Sequence, residues 1–360
     1  MNDSLTNVYL PGLNGLRAIA ALSVVVSHIT IALPDFGLEK IGDWGFAAHG
    51  VTLFFTISGF LITYLLLLEK KKQKINIKKF YARRILRIWP LYYSYLLITI
   101  VCLIAYSQFN TKSILYYIFF CANMPFVFGG SLFLIAHLWS IGVEEQFYLL
   151  WPVFVKFTEK KLLLLTFLIA TFLIALKFYA RYVLMNELFK TFLDVNRFEC
   201  MLIGAIGAIL FSTQNKLFRT IIIHISLQIS AWVLLILIAL GKINTPGPSE
   251  NVLMSLITLI LIMGQICSKN KIFNLDNEFF DFLGKISYGL YVIHPLIIFL
   301  LSKAFIKLNI NISFMGIIIY LTVIFSTIFF AHISYKYFER PFLKLKGRFT
   351  IIKSQSSKYG

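Results

Sequence analysis

A chain of 360 residues that is 59% hydrophobic and 16% aromatic, with only 14% charged residues, is too apolar to wrap a soluble core in a wetted surface. Its formal charge of +18 would suggest nucleic-acid binding in a soluble protein, but the cations sit between long apolar runs, where they act as orientation signals. The composition therefore excludes a soluble nucleic-acid-binding domain and predicts an all-α polytopic membrane protein embedded in a lipid bilayer. The four cysteines, Cys102, Cys121, Cys200 and Cys267, lie in or beside apolar runs without metal-ligand or disulfide spacing, so they read as packing residues and no metal is expected.

The first apolar run, Leu16 to Leu33, has no small-residue cleavage pattern after it and reads as a retained span, not a removed leader. It carries Arg17 and His28, which lie ~16 Å apart on one helix face at ~100° and ~1.5 Å per residue. Ionisable side chains on one face of a membrane helix are costly in lipid and mark a site turned toward a partner or a cavity. The plainer alternative has Arg17 snorkelling to the interface and His28 packing in the core. The second run, Gly50 to Leu68, has Ser58-Gly59 near its middle, where small residues allow close helix approach; ligand contact by Ser58 is the alternative.

A lysine-rich stretch follows, and then FYARRILRIWP, with Arg83, Arg84 and Arg87 before Pro90. These arginines read either as anchors at an anionic leaflet or as a phosphate clamp, since guanidinium binds phosphate bidentately. The stretch Ser113 to Phe128 runs through Asn123 and Pro125 into Gly129-Gly130, breaks that suit a re-entrant or interfacial piece near 113–137. The aromatic-rich region from Phe109 to Leu138 is a candidate wall for an acceptor site.

Next, HLWSIGVEEQFYLLWP places Glu144 and Glu145 inside an apolar helix, with His137, Ser140 and Glu144 on one face at spacings of three and four. A buried carboxylate must be paired or protonated, so these two are either site groups or partners of arginines in neighbouring spans. Toward the end, GKISYGLYVIHPL puts Ser287, Tyr291 and His294 along one face, with Pro295 removing a helix hydrogen bond beside His294. That pattern reads as a polar pocket wall. His224 and His332 read as satisfied helix residues, and Glu339-Arg340 as a local cap or pair.

Eleven apolar segments are long enough to consider as spans. If all crossed, the basic tail with Lys336, Arg340, Lys344, Lys346, Arg348, Lys353 and Lys358 would lie on the opposite side from the nine Lys/Arg of residues 69–87, against the positive-inside rule. Removing the 113–128 segment leaves ten crossings with both termini inside, 24 Lys/Arg on the inner side and 8 on the outer, of 34 in all.

Six motifs in order, GLNGLRAIAALSVVVSH, GVTLFFTISGFLITYLL, FYARRILRIWP, HLWSIGVEEQFYLLWP, LGKISYGLYVIHP and FERPF, resemble the acyltransferase-3 family of membrane O-acyltransferases across Pro11 to Phe342. The resemblance implies an enzyme of about ten spans in a bacterial cytoplasmic membrane. Such an enzyme takes an acyl group, usually acetyl, from cytoplasmic acyl-CoA and places it on a hydroxyl of a surface glycan or its lipid-linked precursor. The chain is expected to form a membrane domain over 1–342 with a basic cytoplasmic tail over 343–360; some members of the family carry an extra extracellular esterase-like domain, which is not expected here.

Carried over to this sequence, the resemblance makes Arg17 and His28 the central pair and Arg83, Arg84 and Arg87 contacts for the CoA phosphates. Trp139, Ser140, Glu144 and Glu145 would line the site. Ser58, Tyr291 and His294, read above from the residues alone, are further candidate substrate contacts. His28 is the expected general base, with Glu144 or Glu145 orienting its ring. A transporter or flippase for a glycan precursor or small anionic solute is the competing class, because intramembrane charges also mark translocation routes.

Overall fold

The computed structural model describes residues 7–42, 45–107, 110–243, 247–268, 271–307 and 315–355. Phe109 and Lys358, used in the sequence reading, lie outside them. The described chain is built of helices: α1 (Leu13–Ile31), α2 (Phe46–Lys72), α3 (Ile77–Ala105), α4 (Thr111–Ile118), α5 (Asn123–Val127), α6 (Trp139–Phe154), α7 (Glu159–Tyr179) and α8 (Glu187–Val195), followed by α9 (Phe198–Ser212), α10 (Lys216–Ile222), α11 (Ile225–Ala239), α12 (Pro248–Cys267), α13 (Glu278–Lys285), α14 (Ser287–Lys307), α15 (Met315–Ile333) and α16 (Arg340–Lys346). Two three-residue strands, β1 (Asn7–Tyr9) and β2 (Lys353–Gln355), pair in parallel and bring the two ends of the described chain together.

Local chemistry explains many of the starts. The side chains of Asn76, Asn110, Asn186, Asn215 and Asn277 each accept the backbone N–H three residues on, capping α3, α4, α8, α10 and α13. Each cap satisfies a donor that the first turn of a helix would otherwise leave open.

Among the described residues, eight helical segments are long and apolar enough to cross a bilayer, and α10 with α11, bent by 55° at their junction, would make a ninth. This is a multi-pass membrane protein. The sequence reading of about ten crossings includes α6, whose 16 residues continue directly from the short turn Ala136–Leu138 and come just under the ~20 of a perpendicular crossing. The 113–128 segment forms the eight-residue α4 and the five-residue α5, neither long enough to cross.

The centre of the bundle is the crossing of α2 with α9. A Cβ at Gly59 would lie 2.0 Å from the carbonyl oxygen of Met201, and one at Gly204 would lie 2.1 Å from that of Thr56. Only hydrogen in place of a side chain lets these backbones meet, which is how membrane helices associate without a hydrophobic drive between them. α1 packs against α2, α13 and α14, so the helix that carries Arg17 and His28 is enclosed by partners on several sides. Leu16, Ala18, Ala20, Ala21 and Ile29 are fully buried along it.

Candidate functional site

A cavity of about 360 Å³ opens beside the N-terminal half of α1. Its cationic lining comes from four elements: Arg17 on α1, Arg84 and Arg87 on α3, Lys285 on α13 and Lys346 on α16. Glu144, Asp276 and Asp281 are the lining carboxylates, and Tyr9, Asn14, Ser58, Ser140, Tyr148, Tyr288 and Tyr291 supply hydroxyls and an amide.

The carboxylates are largely engaged. Asp281 accepts from Asn14 Nδ2 at 2.7 Å and pairs with Lys285 Nζ at 3.0 Å, and Asp276 accepts from the Tyr9 hydroxyl. Glu144 Oε1 accepts from Ser58 Oγ at 2.7 Å.

The guanidinium groups are differently placed. Arg84 stacks over Tyr148 at 5.8 Å and over Phe80 at 5.9 Å, and its Nε is buried with no hydrogen-bond partner among the described residues. Arg83 points away from the cavity: its Nη2 donates to Glu69 Oε2 at 2.8 Å and its Nη1 to the carbonyl oxygen of Phe349 at 2.9 Å. Of the three arginines grouped on the sequence, Arg84 and Arg87 reach the cavity and Arg83 ties α2 and the C-terminal segment to α3.

Three turns along α1, His28 meets a second polar centre. Its Nδ1 lies 2.6 Å from His294 Nε2, with the rings stacked at 4.9 Å. His137 packs edge-on against His294 at 5.3 Å and directs its Nε2 at the Val292 carbonyl oxygen, 3.1 Å away. The cavity and this imidazole cluster meet at Ser140 and Tyr291. Both line the cavity; their hydroxyls are 2.5 Å apart, and Tyr291 Oη donates to the His137 carbonyl oxygen at 2.7 Å.

His28 itself is not on the cavity wall, and the contact of its Nδ1 described above is to His294; the sequence reading expected a glutamate to orient the ring. Glu145 Oε2 accepts from Trp89 Nε1 at 3.2 Å, and its Oε1 is buried without a hydrogen-bond partner among the described residues. Trp139 also stands off the cavity wall, under the Arg197 guanidinium at 5.6 Å and against Phe55 and Phe126. Among the described residues no three His, Cys, Asp or Glu side chains are arranged to hold a metal ion.

Sequence reasoning passed over Tyr148, Tyr288 and Lys346 as wall residues. Tyr148 carries a signal after the fact, four residues beyond Glu144 and hence on the same helix face. Lys346 carries none beyond the general basic bias of the tail. Ser58, read first as a packing residue, takes a polar part, while its neighbour Gly59 makes the close helix contact.

The family model for the acyltransferase domain matches residues 10–336. The chain belongs to this acyltransferase family. It is 29% identical over 93% of its length to a protein of Staphylococcus aureus (strain COL) provisionally named as an O-acetyltransferase, covering 58% of that protein. It is 26% identical over 93% of its length to the O-acetyltransferase OatA of Staphylococcus aureus (strain NCTC 8325 / PS 47), covering 57% of it. Over 45% of this chain, identity to the peptidoglycan O-acetyltransferase OatA of Listeria monocytogenes is 32%, covering 27% of that protein. The chain thus spans under two thirds of the length of these relatives. No solved structure matches it.

Proposed function

We propose that this chain transfers an acyl group, acetyl in the simplest case, from acyl-CoA on the basic side of the membrane to a hydroxyl of a surface glycan or its lipid-linked precursor. The observation that carries this reading is the convergence of Arg17, Arg84 and Arg87 on one cavity, with Ser140 and Tyr291 linking its wall to the imidazole cluster around His28. A diphosphate donor suits a wall of guanidinium groups, which bind phosphate by charge-assisted hydrogen bonds in a fork geometry. The buried Arg84 Nε is a donor that such a ligand would satisfy.

In this reading the thioester end of the donor passes Ser140 and Tyr291 to reach His28. The acceptor hydroxyl gives its proton to His28 as its oxygen attacks the thioester carbonyl, and the proton leaves with the thiolate as CoA thiol. Glu144, bonded to Ser58, supplies negative charge to offset the clustered cations. In this reading α6 makes the tenth crossing, so that both termini, whose strands β1 and β2 pair, lie with the cavity mouth and the donor on the cytoplasmic side of the cell membrane, the side that the positive-inside rule favours for the basic segments.

The test is transfer of label from acyl-CoA to glycan in membranes carrying full-length protein. His28→Ala is expected to lower the rate by roughly 10³-fold, within the ~10²–10⁴-fold range of a lost general base, with the protein inserted at its usual abundance. Activity within a few-fold of the parent would remove His28 from the chemistry. Export of unmodified glycan with no labelled ester would replace the enzyme reading with a transporter.

A further inference from the structure

The structure assigns His294 a task that a pocket-wall residue would not have: we propose that it is a positioning residue that fixes His28 in the tautomer whose Nε2 carries the lone pair. The inference rests on the reading of His28 as the base. Its support is a chain of hydrogen bonds in which only one order of donors is consistent. His294 is fully buried, and its Nδ1 lies 3.1 Å from the carbonyl oxygen of Leu290.

A carbonyl oxygen can only accept, so the proton of the neutral His294 ring is on Nδ1. The opposite tautomer would aim two lone pairs at each other across that contact. With Nδ1 protonated, His294 Nε2 is an acceptor, and the 2.6 Å contact to His28 Nδ1 has His28 as the donor. The His28 proton therefore sits on Nδ1 and its basic lone pair on Nε2.

The neighbours hold this order in place. His137 packs edge-on against His294 and is itself pinned, its Nε2–H donating to the Val292 carbonyl oxygen. Leu290, Val292 and His294 all belong to the turn of α14 just before Pro295, whose missing N–H leaves the carbonyl of Tyr291 without its helical donor.

When His28 Nε2 takes the proton of an attacking hydroxyl, Nδ1–H remains a donor to His294, and the bond becomes charge-assisted. His294 thus does for this imidazole what a carboxylate does in a catalytic triad, holding tautomer and orientation while taking no proton. It does so without bringing a second charge into the membrane interior.

The measurement is nitrogen NMR of the full chain in lipid nanodiscs with labelled histidine. The chain has six histidines, so single substitutions assign the signals. The parent protein is expected to show both His28 and His294 as Nδ1–H tautomers, and His294→Ala to convert His28 to a mixture or to the Nε2–H form. The kinetic counterpart is a fall in kcat of ~10²-fold or more at unchanged donor KM, toward the ~10⁴-fold that a wrong tautomer costs in triad enzymes. His294→Gln, which can place an amide oxygen near the lost Nε2, should restore part of it.

A parent spectrum with His28 as the Nε2–H form overturns the proposal whether or not any variant folds. An inserted His294→Ala protein with unchanged kcat overturns it as well. Retained activity in His28→Ala would instead fell the catalytic reading, and the spectrum would still decide the tautomer.

Discussion

Two regions of the bundle bury cations, and they do so in opposite ways. Between α7 and α9, Lys177 Nζ meets Glu199 Oε1 at 2.5 Å, with side-chain exposures of only 2% and 1%. Beside α1 and α3, Arg17, Arg84 and Arg87 gather round a cavity, and among the described residues none of them forms an ion pair or donates a hydrogen bond to the protein. A lysine closed on its own carboxylate answers its charge inside the fold. Three guanidinium groups around a cavity meet Glu144 and Glu145 only at longer range, and on the proposed function the rest of their charge is left for a ligand that enters. On the sequence alone a Lys and an Arg inside apolar runs look alike; the partner, not the charge, separates the closed pair from the open cluster.

Removing one member of the closed pair is the harshest test of that contrast. Glu199→Ala strands Lys177 in the α7–α9 interface and should cost roughly 3–5 kcal/mol, the range for an uncompensated buried charge. A thermal-unfolding midpoint in detergent reads it, and Glu199→Gln with Lys177→Met should recover much of the loss. An unchanged midpoint in Glu199→Ala would mean that the pair is not structural.

The cavity arginines should behave in reverse. Arg84→Ala or Arg87→Ala is expected to weaken binding of a diphosphate donor about 10- to 100-fold, as for loss of a charge-assisted hydrogen bond of ~1.5–3 kcal/mol, while the midpoint holds or rises. Donor KM or calorimetric affinity for CoA measures it. A midpoint that falls with unchanged affinity would reassign both residues to the fold.

The glycine crossing gives a smaller effect of a different kind. Gly204→Ala sets a methyl where the carbonyl oxygen of Thr56 already lies 2.1 Å away. It should lower stability by ~1–3 kcal/mol, the usual cost of overpacking, and shift α2, which carries both Thr56 and Ser58, so that Ser58 moves relative to Glu144. A midpoint equal to the parent's would show that α2 and α9 separate more easily than the crossing suggests.

Which features were legible in the sequence follows from the same physics. The spans could be read because hydrocarbon admits only apolar runs, and the failure of the 113–128 segment because charge parity left one run too many. Arg17, His28, Glu144 and Glu145 stood out because each is expensive where it lies. What could not be read is which partner each had. Spacing puts His137, Ser140 and Glu144 on one face of one helix, yet the bonds that give them roles run to α2 and α14, from Ser58 to Glu144 and from His137 to Val292. The start of α6 was hidden for a related reason: its apolar run extends through His137-Leu138, and those residues form a short turn that leads directly into the helix.

Arg83 and Arg84 put the contrast in its sharpest form, because they are adjacent in sequence and opposite in assignment. A helix turns by ~100° per residue, so when Arg84 faces the cavity Arg83 must face elsewhere, and it finds Glu69 and the Phe349 carbonyl. Its bond to Glu69 is mostly buried, at 13% and 2% exposure, and Glu69 also accepts from the backbone N–H of Asn76 at 3.0 Å, so this bracket fixes the turn between α2 and α3. Arg83→Lys keeps the charge on the chain and loses the two-sided reach of the guanidinium. Donor affinity should change by less than about 3-fold, a difference under ~1 kcal/mol, with a modest fall in the unfolding midpoint. Arg84→Lys, in contrast, should lower donor affinity several-fold and leave the midpoint in place. If the two substitutions gave the same result in both measurements, the pair would be one electrostatic patch, and the division between bracket and binding wall would not stand.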